Sequence, residues 1–372
     1  MRRTPPQARR ISLAALLTLL APLAPALAQQ AADQRFGEQV TVSEVLLDVV
    51  VTDKQGNVII GLAPDDFLVE EDGKTRDVAS ATFYSNRRLL GSTQPVETSG
   101  GSIDTTPRSR YFILFFEDQR RTAADNPALH LLQRQPEAVR EAKEWVREEV
   151  LLDDYVAVVS YDVKLKVHQD FTQDRGGVLK AIDGFAKGED PGSNWPSRLP
   201  EAGEISLRTG LPRGKELDKQ TGKPYDAFRL LAQATSGIVG RKNLIYFGLG
   251  FGELTGFGLY KPDPRYYPGM IQALNDNNVA VYTIDLIPSE VSSYPLEESL
   301  HQLADETGGK YFGTFASFET PLGQISTENS GYYLLSYQAE HPAGTTGYQK
   351  VRVKTRNPEF QVRTREGYVF GG

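Results

Sequence analysis

Residues Tyr111-Phe112-Ile113-Leu114-Phe115-Phe116 form an unbroken run of large apolar side chains that ends on Glu117-Asp118. A strand of this kind has no solvent face, so it belongs inside a sheet covered on both sides, which in practice means a parallel sheet flanked by helices. Ligands of such sheets bind beyond the carboxyl ends of the strands. The chain thus delivers two carboxylates to that edge, and the following Gln119-Arg120-Arg121-Thr122 adds guanidinium groups to it.

The segments after this run alternate strand and helix. The spacing predicts a helix over 136–150 opened by Pro136, a strand over 155–161 and a shorter edge strand over 165–167. Helices over 174–185, 225–236, 268–277 and 296–307 alternate with strands over 243–247, 279–285 and 310–312. Gly308-Gly309 stops the last helix. This pattern predicts an α/β fold with a doubly wound, mostly parallel sheet. Residues 188–223, rich in Gly, Pro and charge, interrupt the alternation, and their side of the sheet is not legible.

Both flanks read as β. Residues 38–86 alternate short strand patterns with turns such as Asp53-Lys54-Gln55-Gly56-Asn57, and residues 325–370 return to the same character. Each flank is too small to stand alone, which predicts that they pair into one β-sandwich. Residues 87–109, rich in Ser, Thr, Gly and Pro, read as a linker, and 110–320 as the α/β domain.

Residues 1–28 carry Arg2, Arg3, Arg9 and Arg10, a short apolar run over 11–20 and the small-x-small triplet Ala26-Leu27-Ala28. That is the pattern of a signal peptide, so the protein is expected to be exported, periplasmic or secreted, and not inserted in a membrane. The chain of 372 residues has a formal charge of -7, and removing four arginines makes it more acidic. An acidic chain without a basic run argues against nucleic acid as a partner. The absence of cysteine excludes disulfides and thiol chemistry.

Catalytic patterns are sparse. His130, His168, His301 and His341 are scattered without helical metal spacing, and no G-x-S-x-G elbow occurs. Gly248-Leu249-Gly250-Phe251-Gly252 follows a strand but lacks dinucleotide or P-loop spacing, so close backbone packing or a partner loop is the better reading. Phe251, Phe257, Tyr260, Tyr266 and Tyr267 lie in the same Gly/Pro-rich loop and suit either a partner hot spot or local packing. Glu117 and Asp118 read either as a partner or metal site or as carboxylates engaged in structural pairs.

Several segments resemble a known family. The strands Phe115-Phe116-Glu117-Asp118 and Tyr155 to Tyr161, the segment Asp170-Phe171-Thr172, and Leu303 through Phe312 are similar to a von Willebrand factor type A domain. The flanks, Leu47 to Gly56, Asp66 to Gly73, Gly331 to Tyr337 and Gly367-Tyr368, resemble the bacterial exported proteins called VWFA-related. The resemblance covers nearly all of the chain beyond residue 28. It implies a non-enzymatic module that binds a protein partner, in some relatives through Mg²⁺ or Mn²⁺ held by Asp-x-Ser-x-Ser, a later Thr and a later Asp. This chain departs from that pattern: it reads Glu-x-Gln-x-Arg from Glu117 or Asp-x-Arg-x-Thr from Asp118, and no carboxylate follows the fourth strand until Glu253.

The adhesion site is therefore expected to be degenerate, with no cofactor; were an ion bound, Asp118, Glu117 and Thr122 would hold it. The expected partner-binding rim comprises Glu117, Asp118, Arg120, Arg121, Thr122, Gly248, Gly250, Phe251 and Glu253. Two alternatives stay open: an assembly protein with the β-domain as its interface, and a metal-dependent adhesion module with atypical ligands.

Overall fold

The computed structural model describes residues 40–85, 97–98, 101–104, 109–118, 129–195, 205–287, 294–313, 317–342 and 344–371. The chain opens with strands β1 (Val40–Thr52), β2 (Phe67–Glu71), β3 (Lys74–Arg76) and β4 (Val78–Ser85), then the short β5 (Glu97–Thr98) and β6 (Gly101–Asp104). The alternating part begins with β7 (Tyr111–Glu117), α1 (Leu129–Glu148), β8 (Tyr155–Tyr161), β9 (Leu165–Thr172) and α2 (Arg175–Lys187). It continues through α3 (Lys215–Gln220), α4 (Pro224–Ala234), β10 (Lys242–Gly248), β11 (Glu253–Leu254), β12 (Tyr260–Lys261) and α5 (Tyr267–Asp276). It closes with β13 (Val279–Asp285), α6 (Glu297–Glu306), β14 (Tyr311–Phe312) and α7 (Glu319–Glu328). The last strands are β15 (Gly331–Pro342), β16 (Gly347–Thr355), β17 (Gln361–Arg363) and β18 (Gly367–Phe370).

The central sheet runs β14-β13-β10-β7-β8-β9. In order of appearance along the chain this is 3-2-1-4-5-6, the doubly wound arrangement, parallel except for the antiparallel edge strand β9. Alternate residues of β7 feed two separate cores. Ile113 and Phe115 pack with α4, α5 and α6, whereas Phe112, Leu114 and Phe116 pack with α1, α2 and α7. The unbroken apolar run is thus explained by burial on both faces.

The flanking strands form a two-sheet sandwich, ordered β17-β1-β15-β4-β6-β5 and β18-β16-β2-β3. The N- and C-terminal segments interleave: β1 pairs antiparallel with β15 from Val40↔Pro342 to Val49↔Tyr333, and β2 pairs with β16. Leu47, Val49, Val51, Val69, Phe83, Tyr333, Leu335 and Val353 fill the space between the sheets. The sandwich meets the α/β layer at the amino ends of the parallel strands. There Arg365 donates to the carbonyls of Leu46 (3.0 Å) and Asn275 (2.8 Å), and the Asn278 amide donates to Asp48.

Three differences from the sequence reading have local causes. Helix α1 starts seven residues before Pro136, since a proline withholds one donor but does not by itself end a helix held by packing. β5 and β6 fall inside the segment read as a linker, where β6 extends β4 in parallel. Strand β9 is eight residues long rather than three because the 188–223 segment supports its outer edge. Thr221 Oγ1 accepts from Leu165 N (3.0 Å) and Arg208 donates to Val167 O (3.3 Å). The Asp170 carboxylate gathers Ser206 Oγ (2.6 Å) and the amides of Leu207 (2.7 Å) and Arg208 (3.3 Å). A sheet edge that is covered cannot pair with another chain.

Candidate functional site at the strand ends

In a sheet ordered 3-2-1-4-5-6 the crevice for a ligand opens between the first and fourth strands, where the connections diverge to opposite faces. Here those strands are β7 and β10. Glu117 ends β7, and its Oε2 accepts from the Tyr246 hydroxyl (2.8 Å) and from the backbone N–H of Leu249 (2.8 Å), just past β10. The carboxylate therefore stitches the two sides of the crevice together. Burial and the neighbouring Glu117 charge push the Tyr246 phenol well above its usual range, so it stays a donor.

The glycines of the β10 turn serve close packing. A Cβ on Gly248 would lie 2.3 Å from the Tyr246 ring, and Gly250 (φ 87°) sits against the carbonyl of Leu296. No helix begins here to hold a phosphate, since α5 starts only at Tyr267. Phe251 turns inward, 7% exposed, and packs against Tyr225 and Phe228. Asp118 is buried, with its amide donating to Tyr161 O (2.7 Å). Glu253 is exposed on β11, 3.7 Å from Arg265. Arg120, Arg121 and Thr122 lie outside the described residues.

Of the loop aromatics, Tyr267 joins the core and Tyr266 stacks on Tyr225, with the ammonium of Lys223 over its ring. Phe257 does the opposite. It stands 94% exposed at the tip of the β11–β12 hairpin, with Leu259 at 66% beside it. The hairpin is closed by Thr255 N to Leu259 O (2.8 Å) and Gly258 N to Thr255 O (2.8 Å).

Sequence reasoning missed a second carboxylate. Asp285 ends β13 as Glu117 ends β7, and that parallel was the available signal. Its Oδ1 accepts from Ile287 N (2.7 Å) and its Oδ2 lies 3.2 Å from the Tyr311 hydroxyl. Burial, 2% exposed, pushes its carboxyl up to about 6.

As a donor set for a hard divalent cation the described residues do not fit. Such an ion requires several oxygen ligands, and the turn after β10 presents the N–H of Leu249 to Glu117 and no side-chain oxygen. No group of three acidic or histidine side chains with metal-binding geometry occurs among the described residues.

The class that this fold defines is a doubly wound α/β domain, its sheet ordered 3-2-1-4-5-6, with an attached β-sandwich. No protein-family model matches the chain, and no curated protein matches it. Among solved structures it is similar to proximal thread matrix protein 1 of the mussel byssus, with 15% identity and a TM-score of 0.35 over 59% of this chain. The match spans about half of that protein, 47%. It is also similar to the von Willebrand domain of the pilus tip protein Mfa5 from Porphyromonas gingivalis, with 11% identity, a TM-score of 0.37, and 59% and 94% of the two chains covered. A third is BatB from Bacteroides thetaiotaomicron, with 14% identity, a TM-score of 0.34, and 60% and 98% covered. These likenesses concern the course of the chain and bear on no residue's role.

Proposed function

We propose that the protein is an exported, non-enzymatic binding module whose protein partner meets the strand-end rim at the β11–β12 hairpin, without a bridging metal ion. The observation that carries this reading is Phe257, a fully presented aromatic ring held in water by a closed hairpin at the ligand-binding end of the sheet. Burying such a ring in a partner's pocket is worth about 1.5–3 kcal/mol, and aromatic anchors of this kind dominate many interfaces.

The reading is supported by how the other polar groups are used. Glu117 is committed to Tyr246 and Leu249. The one serine–histidine contact among the described residues, Ser160 Oγ to His168 Nε2 at 2.8 Å, has its serine fully buried inside β8, away from any substrate. Export rests on the pattern of residues 1–28, which lie outside the described residues. No described helix is long and apolar enough to cross a membrane.

The test compares wild type with a Phe257→Ser, Leu259→Ser double variant in cells that export the protein, by cross-linking with and without a chelator. The expected outcome is a specific adduct that survives chelation and disappears in the double variant, whose melting temperature matches wild type. An adduct untouched by the double substitution would overturn the hairpin as the contact. One abolished by the chelator would restore a metal-dependent mechanism.

A further inference from the structure

The hydroxyl of Tyr311 has one proton and two carboxylate oxygens competing for it. Glu297 Oε1, at the start of α6, lies 2.7 Å away, and Asp285 Oδ2, at the end of β13, lies 3.2 Å away. A phenol donates once. With both carboxylates ionised, one of these contacts would set oxygen against oxygen with no proton between them.

The shorter contact identifies the acceptor of the phenol proton as Glu297, because hydrogen bonds to an ionised oxygen are the short ones. The remaining contact is satisfied only when Asp285 itself carries a proton and donates it to the Tyr311 oxygen. We propose that Asp285, Tyr311 and Glu297 form a proton-binding site at the strand-end rim, closed when Asp285 is protonated and strained when it is ionised.

The groups facing this site fit that assignment. Burial is the main cause that raises the Asp285 carboxyl to about 6, and the Glu297 charge is a smaller cause in the same direction, while the Ile287 amide and the Tyr311 hydroxyl pull the other way. On α6, the His301 ring lies against Tyr311 and its Nε2 is 3.8 Å from Glu297 Oε1. On α1, Arg134 reaches the Ile287 carbonyl (3.4 Å) and its positive charge opposes the shift of Asp285 without cancelling it. Tyr294, ahead of α6, is pushed up by burial and by the charges of Glu117 and Asp285, so it contributes no charge. The site ties β13, β14 and the amino end of α6 together through one exchangeable proton.

Linkage gives the direction. A carboxyl whose folded value of about 6 lies above its ordinary value of 3.8 binds its proton on the order of 100-fold more tightly in the folded state. Its stabilising contribution is full below about pH 4 and is lost as pH rises through about 6.

The experiment is a set of thermal melts from pH 4 to 8 on the full chain and its Asp285→Asn and Glu297→Gln variants, alone and combined. Asparagine keeps the acceptor for Ile287 and cannot ionise. The melting temperature of wild type minus that of Asp285→Asn should fall as pH rises from 4 to about 6.5 and then level off. In the Glu297→Gln background the same difference should complete its fall at lower pH, because the competing acceptor charge is gone. A difference flat across the range would overturn the site. A fall of the same midpoint with Glu297→Gln would show that Asp285 titrates alone and would equally overturn the shared-proton assignment.

Discussion

Glu71 inside the sandwich and Asp285 at the rim are almost equally removed from water, at 0% and 2% exposed, yet their surroundings treat a negative charge in opposite ways. Glu71 Oε1 receives the hydroxyls of Tyr368 (2.5 Å) and Tyr337 (3.2 Å), and its Oε2 receives Arg76 at 2.7–2.8 Å. The charge is matched, and the two sheets are locked across their interior. Asp285 has one backbone amide and a contested phenol. A fully matched carboxylate fixes a structure, whereas an under-matched one leaves it responsive to protons.

The sharpest way to break this comparison is at Glu71. Glu71→Ala leaves Arg76 and two phenols facing an empty pocket, and the expected loss is about 3–5 kcal/mol in urea unfolding. A loss below about 1 kcal/mol would mean that the sandwich is held by its apolar filling alone.

Next in size is a buried charge of opposite sign at the amino ends of the strands. Lys242, nearly buried, is lowered to about 8 chiefly by desolvation, while Asp48 opposes the shift. Between about pH 8 and 10.5 the unfolded chain holds more protons than the folded one, so stability rises with pH across that window. Wild type should gain about 3 kcal/mol there relative to Lys242→Met. A parallel pair of stability–pH curves would count against a buried ammonium.

A smaller effect is expected at the crevice. Glu117→Ala removes the acceptor of Tyr246 and Leu249 and should cost about 1–3 kcal/mol. Neither wild type nor variant should change its melting temperature with Mg²⁺ or Mn²⁺; a shift in wild type that the variant lacks would restore a cation to the rim. The smallest effect is at the hairpin tip, where Phe257→Ser should alter stability by less than about 0.5 kcal/mol. A larger loss would mean that the ring is packed in solution and not presented.

Much of the fold was legible because packing writes directly into sequence. The apolar run of β7 and the alternation after it carry the central sheet, and the bounds of β8 and β13 agree with the residues that look like strands. The recognisable motifs of the flanks turn out to serve the sandwich. Asp53 closes its turn through the amides of Gln55 and Asn57, Tyr333 bonds Leu62 N and Ile59 O, and Tyr368 reaches Glu71.

The rim was less legible. Phe251 and Phe257 look alike on paper, six residues apart in one Gly-rich loop. Phe251 lies ahead of the β11–β12 hairpin, with its amide bonded to Ser299 Oγ (3.0 Å) and its ring in the core, whereas Phe257 sits at the hairpin tip in water. Asp285 and Tyr311 come together because β13 and β14 are neighbours, a pairing that no local pattern announces.

The interleaving of the sandwich has a consequence for the order in which the chain can become native. The bond from Tyr368 to Glu71 spans 297 residues, and β1 finds its partner only when β15 arrives. Closing so long a loop is entropically slow compared with the local strand–helix units of the central layer. A chain emerging from its amino end thus carries β1 with an open edge until β15 has emerged. The α/β layer can assemble in the meantime, and the final strands act as the latch that retires the last aggregation-prone edge.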